Sequence, residues 1–198
     1  MGLALILASA SPRRRELLAQ LGVDYRCDAP DIDETPLAGE LAADYVQRMA
    51  ATKGDSVTGR YNLSQTAVLA ADTTVVIEGE VLGKPRDYFD GLAMLARLSG
   101  RRHSVMTAIS LHTASETTVR LVETSVQFVS LSRQVCEAYL ATGEPWDKAG
   151  AYGIQGLAGA FVSAIEGSYS NVVGLPLTET WQLLSAHGIA TNLDSVDG

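Results

Sequence analysis

LILASASPRRRELLAQLG, residues 5–22, passes from an apolar run through a polar turn into an amphipathic stretch, and that order decides the fold class. Residues 3–7 form a short continuous apolar run, the pattern of a strand buried on both faces. Ser11 followed by Pro12 is a helix opening, with Ser as N-cap and Pro at the first helical position. Leu17, Leu18 and Leu21 give the helix an apolar face, and Gly22 is placed for its C-terminal cap. Strand, tight turn and helix start also make the geometry in which backbone N–H groups and the helix dipole hold a phosphate. Arg13, Arg14 and Arg15 stand at that positive end, where each cation is disfavoured by about 0.3–1 kcal/mol. Solvation of the three side chains and an anion held among them are the two readings open at this point. Guanidinium forks match phosphate oxygens, and Ser9 and Ser11 add hydroxyl donors. GxxxxGK[ST] is absent, which disfavours a Walker-type nucleotide site.

Outward from this stretch, strands and helices alternate. The spacing predicts a second strand over 25–29, an acidic loop PDIDETP over 30–36, and a helix over 41–57. That helix carries Tyr45, Val46, Met49 and Ala50 on one face, with Lys53 near it. An apolar run over 67–71 ends at Asp72, and TTVVIEGEVLGKP then predicts a hairpin turning at Glu78-Gly79. A helix over 87–98 is capped by Asp87 and stopped by Gly100. Two β-like stretches (104–112 and 118–131), a helix (132–141), a glycine-rich segment (150–159), a strand (160–165) and a helix from Pro176 to about His187 follow. With no internal repeat and no linker, this is one α/β domain around a central sheet, residues 1–189, ending in a polar and loose tail, 190–198.

Composition limits the function classes. The chain has 198 residues, 46% hydrophobic and 19% charged, which is globular rather than disordered. The net charge of −8 argues against a nucleic-acid polymer as partner, because counterion displacement needs a basic face. A small anion needs only a local basic pocket. No apolar stretch approaches the roughly 20 residues of a membrane helix. The first residues lack the basic n-region of an export signal and read as a buried strand. Cys27 and Cys136 show no CxxC spacing and read as reduced cytosolic thiols, so a cytoplasmic location is expected. His103, His112 and His187 show no zinc spacing.

Four features carry chemistry. Asp72 follows a buried strand in AVLAADTT, at the sheet edge where α/β proteins place their sites. A carboxylate there holds a divalent cation or deprotonates a water; a turn-capping Asp bonded at Thr74 is the alternative. Asp33 and Glu34 offer further carboxylates, or are simply solvated. Lys84, fixed between Gly83 and Pro85, reaches a phosphate or points to solvent. GAYGIQGLAG, residues 150–159, is not the GxGxxG of a dinucleotide site; it brings backbone close to a ligand or packs as a tight loop. Its Gln155 carries an amide suited to a base edge.

Together SASPRRRELL (9–18), DIDE (31–34), AADT (70–73), GKPRD (83–87), DKAGAYGIQG (147–156) and NVVGLPL (171–177) resemble the Maf family of nucleoside triphosphate pyrophosphatases over nearly the whole chain. The resemblance implies a Maf/ITPase-like α/β fold with a central mixed sheet flanked by helices and a cleft between two lobes. It implies hydrolysis of a nucleoside triphosphate to monophosphate and pyrophosphate, dependent on Mg²⁺ or Mn²⁺. Arg13, Thr73 and Gln155 fall where the branch acting on dTTP and UTP has Arg, Thr and Gln; the 7-methyl-GTP branch differs at all three. Asp72 falls on the family's proton acceptor, and Ser9, Glu34, Lys53 and Lys84 on its other polar active-site positions, with Asp72 and Glu34 as metal ligands. A homodimer is implied too. The rival to an enzyme is a regulator of septation that binds nucleotide without turnover. One departure stands out: Gly54 follows Lys53 where the family commonly has Ala, softening that helix by about 1 kcal/mol.

Overall fold

The opening stretch folds as its sequence predicts. In the computed structural model, which describes residues 3–194, β1 (Ala4–Ala8) leads into α1 (Pro12–Gln20), with Ser11 as N-cap and Gly22 at φ +66° past the C-terminus. There follow β2 (Tyr25–Cys27), α2 (Ala42–Thr58), β3 (Thr66–Ile77), β4 (Glu80–Leu82), α3 (Tyr88–Leu98), β5 (Arg102–His112), β6 (Thr117–Phe128) and α4 (Arg133–Leu140). Three short 3-10 turns, Glu144–Asp147, Ala149–Ala151 and Leu157–Phe161, precede β7 (Val162–Glu166), α5 (Tyr169–Val173) and α6 (Leu177–Ala186). The five-residue α5 escapes the sequence reading because it is too short to show a helical period.

One mixed sheet of seven strands runs through the chain in the order β2-β1-β3-β5-β6-β7, with β4 on β3. β1 is parallel to β2 and to β3, from Ala4↔Thr66 to Ala8↔Ala70, whereas β3 is antiparallel to β4 and β6 to β7. This is the expected α/β domain with a central mixed sheet and flanking helices. Its packing resolves into two compact units, one of residues up to 72, 107–122 and from 174, the other of 73–106 and 123–173.

In the first unit Ile6, Ala8, Val68 and Ala70 pack with Val57 of α2, while Leu5 and Leu7 are also buried, so β1 is covered on both faces. The polar tail is not loose over 190–194. Asn192 N–H donates to the Leu21 carbonyl at 2.8 Å, and the Asp194 carboxylate accepts from Thr191 N–H (2.9 Å) and from Ser185 Oγ (2.9 Å). The Asn192 amide fills the space a side chain on Gly22 would take. Residues 195–198 of the expected tail lie outside the described residues.

In the second unit the predicted hairpin turns at Glu78 and Gly79, both at positive φ (54° and 80°), as the right-handed strand twist requires of a two-residue turn. Its core gathers Val75, Leu95, Leu98, Val126, Phe128, Tyr139 and Leu140. The Asp87 carboxylate accepts Asp90 N–H at 2.9 Å, so the predicted cap forms, and the Ser132 hydroxyl caps α4 by accepting Val135 N–H at 3.3 Å. Among the described residues no helix is long and apolar enough to cross a membrane.

The strand expected to end at Asp72 does not end there. β3 runs for 12 residues through Asp72. Its pairing with β1 stops at Ala8↔Ala70, and its pairing with β4 starts at Val75↔Leu82. Residues 71–74 therefore lie where one neighbour has left and the next has not begun, and a charged side chain is tolerated in the interior of a strand at such a place.

Candidate active site

α2 positions the first of the site's charges. Val46, Met49, Ala50 and Val57 turn one face of this 17-residue helix inward, and Lys53 lies on it, only 8% exposed. A buried ammonium needs anionic partners, and two are present. Lys53 Nζ stands 2.6 Å from Asp72 Oδ1 and 2.8 Å from Glu34 Oε1. Asp72 is itself buried, whereas the Glu34 side chain is half-exposed. The structure thus joins three sequence candidates from three separate segments around one cation.

Asp33 does something different from its neighbour. Its Oδ1 accepts the N–H (2.9 Å) and hydroxyl (2.6 Å) of Thr35, and these bonds hold its carboxyl below the usual carboxylate range. The loop is fixed further by Arg48, which forks onto Glu40 at 2.6 Å through both Nε and Nη2 and donates to the Thr35 carbonyl at 3.3 Å. Tyr45 Oη donates to the Glu34 carbonyl at 3.0 Å. Burial, with the negative charges of Asp72 and Glu34, pushes its phenol up to about 12, so it stays a donor. The helical spacing places Tyr45 on a core face and does not reveal this role. Aromatic spacing on a helix does not show that the hydroxyl end reaches a loop.

The turn after β1 supplies the other side of the site. Ser9, 4% exposed, accepts Ser11 N–H at 3.1 Å through Oγ, and Ser11 Oγ caps α1 by accepting Arg14 N–H at 3.4 Å. Arg13 is half-buried at the first turn of α1. Arg14, which no local rule singles out from its neighbours, is drawn inward: its Nε donates to the Gly174 carbonyl at 2.9 Å. Burial lowers its pKa, Asp72 and Glu34 oppose that shift, and Arg13 reinforces it. Arg14 therefore lies in the field of both carboxylates. Arg15 is exposed, and only its carbonyl is engaged, by Tyr25 Oη at 2.9 Å. The run of three arginines splits into a half-buried Arg13, an inward Arg14 and an exposed Arg15.

Gly54 is explained by β5. A Cβ on Gly54 would coincide with the imidazole of His112, which is 1% exposed. His112 Nε2 lies 3.0 Å from Ser110 Oγ, and its Nδ1 lies 3.2 Å from Asp55 Oδ1 and 3.2 Å from Thr117 Oγ1. Serine, histidine and aspartate in this order resemble a nucleophilic relay. Ser110, however, is fully buried and donates its hydroxyl to the Ala50 carbonyl at 2.8 Å, so it presents no nucleophile. The cluster instead seats α2, and with it Lys53, on β5.

The remaining candidates belong to the second unit. Thr73 follows Asp72 on β3, where alternation turns successive side chains to opposite faces. Lys84 is exposed in the turn after β4, and the Gly83 carbonyl beside it accepts Gly150 N–H at 3.0 Å, which ties that turn to the glycine-rich loop. Gly150, at φ +69°, packs on Val75 with no room for a side chain. Gln155 is exposed on the same loop.

Among the described residues no three His, Cys, Asp or Glu side chains form a metal-holding group. Two hard carboxylates are nonetheless the protein share that Mg²⁺ takes when phosphates and waters supply the rest.

The Maf-like protein family matches residues 4–187. The dTTP/UTP pyrophosphatase of Shewanella oneidensis is 56% identical over 191 residues, covering 93% of this chain and 98% of its own. Those of Myxococcus xanthus (54% over 185 residues; 93% of each chain) and Methylobacillus flagellatus (53% over 184 residues; 93% and 92%) are similar to the same extent. The solved Staphylococcus aureus Ham1 protein aligns at a TM-score of 0.45 and 18% identity, over 63% of this chain and 71% of that one, a likeness too partial to bear on function. With a family match along residues 4–187 and identities above half over 93% of its length, the chain belongs to the Maf family.

Proposed function

We propose that this chain hydrolyses dTTP and UTP between the α- and β-phosphorus, releasing pyrophosphate and the nucleoside monophosphate. The observation that carries the reading is the buried Lys53 holding Asp72 and Glu34 within 2.8 Å, beside a helix start that bears Arg13 and Arg14. The names of the similar proteins above support the choice of substrate.

Asp72 is the proton acceptor. A water held against its carboxylate loses a proton to it while the water oxygen bonds to the α-phosphorus and the bond to the bridging oxygen breaks. Arg13, Arg14, Lys53 and Lys84 supply the positive charge for the triphosphate and the departing pyrophosphate, and Ser9 adds a hydroxyl donor. A divalent cation would be held by Asp72 and Glu34 with the phosphate oxygens, and its chemistry is charge neutralisation on the phosphates. Gln155, and through the strand Thr73, set the base: uracil and thymine show an N3–H between two carbonyls, which a carboxamide pairs as acceptor and donor. A wrong base leaves buried polar groups unpaired, which makes such discrimination steep.

The test is pyrophosphate release with Mg²⁺ or Mn²⁺ across dTTP, UTP, CTP, GTP, ATP and 7-methyl-GTP. Release from dTTP and UTP, abolished by chelator and lowered by on the order of a thousandfold in Asp72→Asn, is expected. Turnover unchanged in Asp72→Asn sinks the mechanism. Release from none of the six moves the chain to the reading of a nucleotide-binding regulator without turnover, and faster release from 7-methyl-GTP overturns the branch. Sedimentation of the same preparation tests the homodimer.

A further inference from the structure

The glycine-rich loop that carries Gln155 is anchored at both ends on one pair of side chains. Gly153 N–H donates to Tyr139 Oη at 3.4 Å, Tyr139 Oη donates to Glu144 Oε1 at 2.8 Å, and Glu144 Oε2 accepts Leu157 N–H at 2.9 Å. Residues 153 and 157 are thereby fixed, and Gln155 is the midpoint. Gly156 N–H closes the turn by donating to the Gly153 carbonyl at 3.1 Å.

The glycines follow from the closeness of this wrapping. A Cβ on Gly156 would fall on the Glu144 carboxylate, one on Gly153 would meet Lys148 Cε at 2.6 Å, and one on Gly159 would meet the Ile154 carbonyl oxygen at 2.7 Å. Lys148 is itself tied, donating through Nζ to the Glu144 carbonyl and to Asp147 Oδ1, each at 2.6 Å. Tyr139 is 3% exposed and set edge-on to Phe161. Burial works against the Glu144 charge, yet the Leu157 N–H and the Tyr139 hydroxyl keep its carboxyl below the usual range. The loop is rigid underneath, while the Gln155 side chain stays exposed.

We infer that Glu144 and Tyr139 are positioning residues for base choice: they hold the loop so that the Gln155 amide meets the pyrimidine edge at a fixed place. The inference rests on the reading of Gln155 as the residue that pairs with the base. Neither side chain needs to touch the nucleotide. A misplacement of about 1 Å at such a contact costs on the order of a hundredfold, whereas the phosphate chemistry at Asp72 is served by other segments.

The experiment compares kcat and KM for UTP and CTP in the wild-type protein, Glu144→Gln, Tyr139→Phe, Gln155→Ala and the double variant Glu144→Gln/Gln155→Ala. Hydrogen exchange of the Leu157 amide is followed in each. Glu144→Gln keeps the shape but replaces one acceptor oxygen by an NH₂. Tyr139→Phe removes only a hydroxyl, and decides the matter if Glu144→Gln does not fold. Expected are faster Leu157 exchange in Glu144→Gln and a UTP-over-CTP ratio of kcat/KM reduced by on the order of ten- to a hundredfold in both variants. That reduction appears in the KM for UTP, and Gln155→Ala gains no further loss of ratio when combined with Glu144→Gln. An unchanged ratio in Glu144→Gln and Tyr139→Phe, or an equal fall for both nucleotides, overturns the inference while a lowered ratio in Gln155→Ala leaves its premise standing. An unchanged ratio in Gln155→Ala overturns the premise, and the inference with it.

Discussion

Gly54 shows what a single residue decides. Measured by helix propensity, Ala at this interior position of α2 would be better by about 1 kcal/mol. Its methyl group, however, would occupy the imidazole of His112, which is held by Ser110, Thr117 and Asp55 and cannot yield. Overpacking of this kind costs typically 1–3 kcal/mol, so Gly54→Ala is expected to destabilise by about 1–2 kcal/mol despite its propensity. In a His112→Ala background the same substitution becomes neutral or stabilising, and urea midpoints of the four proteins form the cycle that reads it. Equal effects of Gly54→Ala in both backgrounds would break the link between these residues. The departure from the family pattern is visible in sequence, but its cause lies 58 positions away, on a strand no local rule connects to it. Arg14 is illegible for a related reason. Three adjacent arginines are equivalent until the carbonyl of Gly174 and the charges on Asp72 and Glu34 distinguish them.

Elements were legible where one residue type performs one local task. Ser11 and Asp87 read as caps because a side-chain oxygen three residues before an unpaired N–H has little else to do, and Glu78-Gly79 reads as a turn because the chain must reverse there. β3 misled because an apolar run interrupted by Asp72 looks terminated; its continuation depends on pairing β1 with one half and β4 with the other. The caps also differ in quality, which makes them testable. Asp87 accepts at 2.9 Å and carries a negative charge at a helix N-terminus, whereas Ser11 accepts at 3.4 Å and carries none. Asp87→Ala is therefore expected to cost about 1 kcal/mol and Ser11→Ala about half of that, within the usual range for caps. Equal losses, or a larger one at Ser11, in denaturant unfolding would show that the helix start at Ser11 depends on more than its cap.

At the scale of the molecule, acid sets two effects against each other. The chain carries a net charge of −8, and lowering the pH eases that self-repulsion. Against it stand two buried imidazoles. Burial holds His103 down to about 4, even though a backbone bond at Arg101 opposes the shift, and burial lowers His112 as well, with Asp55 opposing. His103 is 3% exposed, lies 2.8 Å from Tyr152 Oη and sits edge-on to Phe128, so no rearrangement short of opening the core hydrates it. For a histidine whose folded value is depressed, the unfolded chain binds more protons between the two values. Stability is therefore full above about pH 6.5 and falls as the pH drops toward 4, by roughly 3 kcal/mol for His103 alone. Carboxylates held low by their partners, Glu144 and Asp90 among them, add losses of the same sign at lower pH. Unfolding free energy measured in urea is thus expected to decline from pH 6.5 to 4.5, because one buried imidazole outweighs the modest relief of dispersed surface charge. His103→Phe, which keeps a ring against Phe128 but cannot take a proton, should lower stability at pH 7 by stranding the Tyr152 hydroxyl and yet flatten the decline by about one proton's worth of slope. A flat wild-type profile, or a variant whose slope matches the wild type, would mean that surface charge, not the buried His103, governs how this fold meets acid.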